Sequence, residues 1–244
     1  MIRLKINNIE KVINLQEDIV FIVIENYKLF HDIINNLYTE QYSDIFNFYD
    51  EKYNSLDLDS KIYILYDYIN YDLTNLKLFL DFTKKNKLTN NFKIKEKLNE
   101  LYESCINLFE EIAIESPIMI EMNEEINFEY LIKALNIHFK SSNENIENIV
   151  KYCKIINEIY SKEIICFINI NSFFSNEEIE IIISELKMCG IKLLFISTND
   201  NNIININNKK IVYIDNDLCE FYKWYIKYNP SKRVALKPQK QFEV

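Results

Sequence analysis

Apolar and polar residues alternate in short stretches at the start of the chain and then give way to a continuous apolar run. Residues 2–6 and 11–15 alternate with the period of a β-strand, and residues 19–24 (IVFIVI) are all apolar. A run of this kind is typical of a strand buried in a parallel sheet. Residues 27–37 follow helical spacing, and residues 44–49 return to an extended pattern. This part of the chain predicts a strand–helix–strand unit.

The middle of the chain, residues 59–135, has the spacing of amphipathic helices. Asp57 or Asp59 is suited to cap the first of them, because a short carboxylate accepts bonds from the first-turn N–H groups. The apolar stripe predicted for this helix consists of Leu65, Tyr68, Ile69 and Leu73. Residues 98–114 predict a long helix that is interrupted near Pro117.

The last third of the chain returns to an alternation of strands and helices. The predicted strands are residues 136–140, 163–170, 192–196 and 210–214, and the predicted helices are residues 145–160 and 175–188. Ser175 and Glu178 have the spacing of a capping box. Gly190 follows the second helix, where the chain commonly needs left-handed backbone.

These elements predict an α/β protein with a mostly parallel sheet, because strand–helix–strand crossovers are almost always right-handed and place parallel strands side by side. We expect an α/β head made of residues 1–58 and 136–228. An α-helical domain, residues 59–135, is inserted into it. Residues 229–244 form a basic, flexible tail.

The sequence contains one glycine in 244 residues. Both the P-loop and the dinucleotide-binding fingerprint need several glycines, since the backbone must take positive φ angles to wrap a phosphate. Neither motif can be built here. The chain also has five cysteines without a C-x-x-C pair and only two histidines, which makes a zinc or iron site improbable. It lacks a long apolar run, and we expect a soluble, cytoplasmic protein.

The charges are distributed unevenly, although the net charge of −9 disfavours indiscriminate binding to nucleic acid. Residues 84–97 contain six lysines and a single glutamate. Residues 110–129 contain seven glutamates without a lysine or arginine. A polyanion responds to such local patches, so the first segment is a candidate contact for phosphate groups.

Three groups of segments carry a resemblance to a known family. They are Phe48-Tyr49-Asp50 onward to Asp72, Leu131-Ile-Lys-Ala-Leu135, and residues 164–174 followed by Ser175-x-x-Glu178-Ile179 and Leu193-Leu194-Phe195. In this combination they resemble the type II-A CRISPR-associated spacer-acquisition protein, the Csn-two family. The similarity covers most of residues 1–215 in the same order. The basic tail departs from the shorter members of the family.

The resemblance implies a protein without enzymatic activity that assembles as a homotetrameric ring. Such a ring encloses double-stranded DNA, favours free DNA ends and needs Ca²⁺ for its DNA-competent shape. It implies a role in spacer acquisition, a step of antiviral defence, beside the CRISPR integrase proteins and the RNA-guided nuclease.

Two sets of residues are candidates for these roles. The DNA-binding candidates are Lys84, Lys85, Lys87, Lys93, Lys95 and Lys97, with Lys52 and Lys133 as weaker ones. A solvated helix face is the alternative interpretation of this lysine series. The metal-binding candidates are Glu121, Asn123, Glu124, Glu125 and Glu129, whose like charges repel unless a cation or solvent screens them.

Two other functions stay open on the sequence alone. An NTPase with a degenerate phosphate loop would use Lys28 after strand 19–24, but Glu25 would repel a phosphate and Asn169 stands where a magnesium-binding aspartate would be expected. A head that keeps the P-loop NTPase topology without its chemistry is compatible with the pattern. The other alternative is a DNA-independent interaction scaffold that uses the abundant tyrosines.

Overall fold

The computed structural model describes residues 2–7, 9, 12–15, 19–39, 45–69, 71–116, 118, 128–200 and 210–224. The strands are β1 (Arg3–Ile6), β2 (Ile13–Asn14), β3 (Ile19–Ile24), β4 (Phe46–Tyr49), β5 (Ile62–Leu65), β6 (Ile164–Ile168), β7 (Lys192–Ser197), β8 (Lys210–Ile214) and β9 (Glu220–Trp224). The helices are α1 (Tyr27–Thr39), α2 (Leu58–Lys61), α3 (Leu76–Lys85), α4 (Phe92–Glu115), α5 (Phe128–Ala134), α6 (Asn145–Tyr160) and α7 (Asn176–Met188), with 3₁₀ turns at Leu88–Asn90 and Ile170–Ser172.

The larger of the two sheets has the strand order β5-β6-β7-β3-β8-β9. Its first five strands are parallel, with Phe21 opposite Ile211 in the β3–β8 pair, and β9 is antiparallel to β8. All six residues of β3 and all five of β6 are buried, as expected for strands covered on both faces. The prediction of an α/β fold with a mostly parallel sheet is confirmed.

The chain divides into two compact units. The first comprises Met1–Ser55, Phe167–Glu180 and Leu194–Val244, and the second comprises Leu56–Cys166 and Ile181–Leu193. In the core of the first unit, the ring of Phe195 stacks on Phe21 at 4.5 Å and on Phe167 at 5.1 Å. The core of the second unit includes Leu73, Leu78, Ile155, Ile156 and Ile159. The predicted domain boundaries at 58, 135 and 228 stay predictions.

The local signals at α7 are confirmed by its hydrogen bonds. The Ser175 backbone N–H donates to Glu178 Oε2 at 2.7 Å, and the Glu178 N–H donates to Ser175 Oγ at 3.3 Å, which is the reciprocal pattern of a capping box. Gly190 has a φ of +73° and its N–H donates to the Lys187 carbonyl. The one glycine of the chain therefore ends a helix.

The prediction that the segment 59–135 is almost all helical is wrong at its start. Strand β5 occupies part of it, and Leu65 lies in that strand instead of on a helical stripe. Tyr68 is buried in the following turn, where its hydroxyl donates to the Leu65 carbonyl, while Ile69 is exposed. Short apolar runs fit both helical and strand spacing, and here sheet pairing decides the outcome.

Three further expectations need correction. Residues 136–140 form no strand: Asn136, at a φ of +49°, lies in the turn after α5, and residues 137–140 are irregular, with Phe139 packed on Phe79 and Phe82. Strand β4 pairs antiparallel with β1 in a separate sheet of order β2-β1-β4, so β3, α1 and β4 form no parallel unit. Strand β9 was not predicted.

None of the described helices is long and apolar enough to cross a membrane.

Candidate nucleic-acid interface

The six lysines of the basic segment, residues 84–97, lie along one short stretch of the second unit. Lys84 and Lys85 end α3, Lys87 precedes the 3₁₀ turn, and the other three lie in the first turns of α4. Asn75 and Asn91 cap the two helices, because their side-chain oxygens accept from the Lys77 and Lys93 N–H groups at 2.9 and 3.0 Å. All six lysines are exposed.

Carboxylates engage two of these lysines. Lys84 Nζ lies 2.8 Å from Glu129 Oε1, and this contact raises the pKa of Lys84 and lowers the pKa of Glu129. Lys97 Nζ donates to Glu100 Oε2 at 2.7 Å. Lys85 Nζ instead donates to the Ser161 hydroxyl at 2.9 Å. None of the ion pairs found among the described residues involves Lys87, Lys93 or Lys95.

The two weaker DNA-binding candidates lie apart from this segment in the chain. Lys133, in the last turn of α5, belongs to the second unit, and its Nζ lies 5.5 Å from the centre of the Tyr130 ring. Lys52 belongs to the first unit, in a turn where its backbone N–H donates to Asp50 Oδ1 at 2.7 Å. The structure brings Lys133, but not Lys52, into the same unit as the basic segment.

Four of the five metal-binding candidates, Glu121, Asn123, Glu124 and Glu125, lie outside the described residues. Glu129 lies inside them, and its contact with the Lys84 ammonium lowers the pKa of its carboxyl group. Its Oε1 atom already accepts from Lys84, so a cation at this oxygen would compete with the ammonium group. The described residues contain no cluster of three or more potential metal ligands.

The carboxyl edge of the parallel sheet is where an NTPase would bind its nucleotide. Two residues, Glu25 and Asn26, separate β3 from α1. Asn26 Oδ1 accepts from the Leu29 N–H at 2.9 Å and thereby caps α1, while its Nδ2 donates to the Asn216 carbonyl. A connection this short cannot turn a series of N–H groups around a phosphate. Lys28 lies on the exposed side of α1.

Asparagine side chains also tie together the neighbouring loops of this edge. Asn169, at a φ of +52°, accepts from the Thr198 N–H through Oδ1 at 3.1 Å. Asn171 Nδ2 donates to the Asn199 carbonyl and side chain at 3.0 and 2.9 Å. At the position where a magnesium-dependent enzyme would place an aspartate, this chain therefore has an amide that fixes a loop.

The comparison with known families decides the identity of the chain. A family model described as CRISPR-associated protein (Cas_Csn2) matches residues 38–218, which is well over half of the sequence. The chain belongs to this family. The resemblance inferred from the sequence motifs is thereby confirmed, and the protein has a CRISPR-associated role.

Solved structures of similar fold are distant from this CRISPR-associated protein. An ATP-binding cassette of an ABC transporter in its ADP conformation is 11% identical, with a TM-score of 0.49 over 90% of this chain and 89% of that chain. A nucleotide-free cassette is 15% identical, with a TM-score of 0.47 over 90% and 91%. At such low identity and TM-score, the similarity gives no information about the function of this chain. The α/β fold is assigned from the strand pairing itself.

Sequence reasoning predicted that the helix over residues 98–114 is amphipathic, but it missed the heptad spacing and the exposure of the apolar surface of α4. Its members recur with heptad spacing at Ile94, Leu98, Leu101, Cys105, Leu108 and Ile112. None of the described residues of α4 is buried, and Leu108 and Ile112 are 55% and 44% exposed. The alternating steps of four and three residues were visible in the sequence and could have identified this surface.

Proposed function

We propose that this CRISPR-associated protein is a non-catalytic, sequence-independent binder of double-stranded DNA that favours DNA ends. In this proposal it forms a Ca²⁺-stabilised homotetrameric ring and takes part in spacer acquisition with the CRISPR integrase proteins and the RNA-guided nuclease. The observation that carries the proposal is the exposed lysine series of the basic segment in a member of this family.

The chemistry of the basic segment fits phosphate binding without sequence readout. Lysine is a flexible point charge, and it lacks the planar fork with which arginine recognises base edges. Contacts of this kind release counterions from DNA, so affinity depends on salt and little on sequence. Lys87, Lys93 and Lys95 are the strongest contributors expected, because the described ion pairs do not involve them.

Self-association is supported by the heptad surface of α4, for which we propose a second copy of the same chain as the partner. Lysines at residues 93, 95 and 97 begin the helix, whereas glutamates at residues 110, 111 and 115 end it. An antiparallel copy would place the basic end of each helix beside the acidic end of the other. Charge complementarity therefore favours a two-fold symmetric pair.

The register of such a pair follows from the heptad. Lys97 and Glu111 both occupy g positions when Leu98 is an a position, and reversing one helix brings g opposite g. The same register stacks Ile94 on Ile112, Leu98 on Leu108 and Leu101 on Cys105 of the second copy. The two-fold symmetry gives two Lys97–Glu111 contacts in each pair of copies. A second, different interface between two such pairs would complete the tetramer.

Calcium enters the proposal through Glu121, Asn123, Glu124, Glu125 and Glu129. When bound, the cation would neutralise the carboxylate of Glu129 and those of the glutamates that precede it in the sequence. Glu129 is the member whose surroundings are described, and its contact with Lys84 links the proposed cation site to the basic segment.

The absence of catalysis is supported by the carboxyl edge of the sheet. The two-residue connection between β3 and α1, capped by Asn26, offers no cradle for a triphosphate. Asn169 is engaged with the Thr198 backbone instead of presenting a carboxylate. An ATP-turnover rate above that of heat-inactivated protein, and lost in the Lys28→Ala variant, would overturn this part of the proposal.

The deciding experiment measures binding of the purified chain to linear duplex and to the same DNA as a closed circle. Each is titrated with Ca²⁺ and with chelator, across a salt series. We expect Ca²⁺-dependent, salt-sensitive binding to the linear form and little to the circle. If the linear and circular forms give the same signal, and neither salt nor Ca²⁺ changes it, the DNA-independent scaffold is the better interpretation. The specific observation in favour of that scaffold is the apolar surface of α4.

A further inference from the structure

One aromatic side chain lies exposed within the basic segment. Phe92 is the first residue of α4, and 77% of its surface is accessible to solvent. Exposure alone does not identify a contact, because single exposed aromatic residues are common on proteins. Tyr27, the first residue of α1, is exposed to the same extent, between Glu25 and Lys28 of opposite charge. The surroundings of Phe92 are what distinguish it.

The backbone that carries Phe92 is fixed on both sides. Before it, the Asn90 N–H donates to the Lys87 carbonyl at 2.9 Å, and the Asn91 N–H donates to the Leu88 carbonyl at 3.1 Å. After it, Asn91 caps α4 by accepting from the Lys93 N–H at 3.0 Å. A ring on a fixed backbone loses little conformational entropy when a ligand covers it.

The charges around Phe92 are mainly positive. Lys87, Lys93 and Lys95 lie within five residues of it in the chain, and all three are exposed. None of the ion pairs found in the described part of the chain involves them. The single carboxylate between residues 84 and 97 is Glu96, one helical turn after Phe92. Three lysines and one glutamate leave a positive surface beside the ring.

The proposed pairing of α4 with a second copy does not cover this ring. When Leu98 is an a position, Phe92 is a b position, on the side of the helix opposite to the seam of Ile94, Leu98 and Leu101. Lys93, at a c position, also lies outside the seam. Phe92 therefore stays accessible when the apolar surface of α4 is buried.

We propose that Phe92 stacks on the terminal base pair of a DNA end, while Lys87, Lys93 and Lys95 contact the phosphates of the last nucleotides. A base pair inside a duplex is covered on both faces, whereas the last one has a free face. An aromatic ring stacks on any base, so this contact is independent of sequence. The inference rests on the proposed DNA-binding function and adds the residue that distinguishes an end, since lysines alone bind anywhere along the duplex.

The test compares two forms of one short duplex. The open form has blunt ends, and the closed form has each end joined by a hexaethylene glycol linker, which contains no base and blocks the terminal pair. We expect wild-type protein to bind the open form about tenfold more tightly. Phe92→Ala should lose this difference and keep its affinity for the closed form, whereas Phe92→Trp should retain the difference. Tyr27→Ala is the matched control, because Tyr27 also follows an asparagine cap.

A second readout reports the stacking directly. The fluorescence of 2-aminopurine falls when its base is stacked, so wild-type protein should lower the signal of a probe in the terminal base pair of the open form. A probe in the middle of the duplex should change little. Phe92→Ala at saturating concentration should leave both signals unchanged, and Tyr27→Ala should behave as the wild type does.

The outcomes separate this inference from the proposed function. Wild-type protein that binds both forms equally, or a Phe92→Ala variant that keeps the difference, would overturn the stacking and leave binding by the lysines intact. Binding to neither form would overturn both. Loss of assembly in Phe92→Ala, but not in Tyr27→Ala, would assign the ring to a contact between copies and also overturn the inference. Phe92→Leu, which keeps an apolar side chain, replaces Phe92→Ala if that variant melts at a lower temperature than the control.

Discussion

Removing the lysines that no carboxylate engages should change the salt dependence of DNA binding more than removing those that are ion-paired. Lys87 and Lys93 are exposed and take part in none of the ion pairs found among the described residues, whereas Lys84 and Lys97 bind Glu129 and Glu100. A paired lysine must exchange a carboxylate for a phosphate, so its net contribution is smaller. An unpaired lysine exchanges only water and counterions.

The magnitude follows from counterion release. Each lost phosphate contact lowers the slope of log affinity against log salt by about 0.9, so the variant Lys87→Asn/Lys93→Gln should lower it by about 1.8. Between about 50 and about 200 mM salt this removes about a twelvefold change in affinity. Asparagine is chosen at residue 87 because it tolerates the φ of +49° found there.

The assay is fluorescence anisotropy of a labelled linear duplex at several salt concentrations, with light scattering to verify assembly. Lys84→Gln is the paired-lysine variant, with Lys97 left in place because of its proposed role in self-association, and Lys28→Gln is the control on α1. We expect slopes in the order wild type, paired-lysine variant, unpaired-lysine variant, from steepest to shallowest. Equal slopes for all variants with intact assembly would refute the assignment of the basic segment to DNA binding.

Three other predictions follow from the described contacts and charges. Glu124→Gln/Glu125→Gln should reduce the rise in melting temperature that Ca²⁺ produces, because a ligand stabilises only the state that binds it; an unchanged rise would exclude these two residues. Lys97→Glu and Glu111→Lys should each weaken self-association and together restore it, as sedimentation can measure; additive losses would contradict antiparallel pairing of α4. Burial raises the pKa of Tyr63, so its phenol should stay protonated where the unfolded chain ionises. The contribution of Tyr63 to the free energy of unfolding is therefore fully present below pH ~10 and decreases as the pH rises above it. The melting temperature of Tyr63→Phe should consequently fall less steeply with alkaline pH than that of the wild type.

The parts of the fold that could be predicted from the sequence are those where one local signal is unambiguous. The run 19–24 has no polar position, so burial on both faces was its only stable arrangement, and β3 is fully buried. Ser175 and Glu178 carry their own hydrogen-bonding pattern, which does not depend on the rest of the chain. Gly190 marks the end of α7 because other residues are strained at its φ of +73°.

Other parts depend on partners distant in the sequence. Residues 62–65 fit a helix or a strand equally well, and the sheet decides between them. Strand β4 looked like the second strand of a parallel unit, but its alternating burial suits an antiparallel sheet with one buried face. At the candidate interface, the lysines could be found from composition, whereas the pairing of Lys84 with Glu129 spans a separation that no spacing rule covers.

Helix α4 shows how an acidic chain can still present a basic surface. Lys93 and Glu111 are separated along the helix by about 27 Å at a rise of 1.5 Å per residue, which exceeds the screening length of about 8 Å at physiological salt. Within one copy, the acidic end therefore does not cancel the field of the basic end. In the proposed antiparallel pair, Glu111 of the second copy lies beside Lys97 and draws that lysine into the interface. Lys93, at a c position, faces away from the seam. DNA binding and assembly consequently depend on different lysines of the same helix, and variants at residues 93 and 97 should separate the two functions.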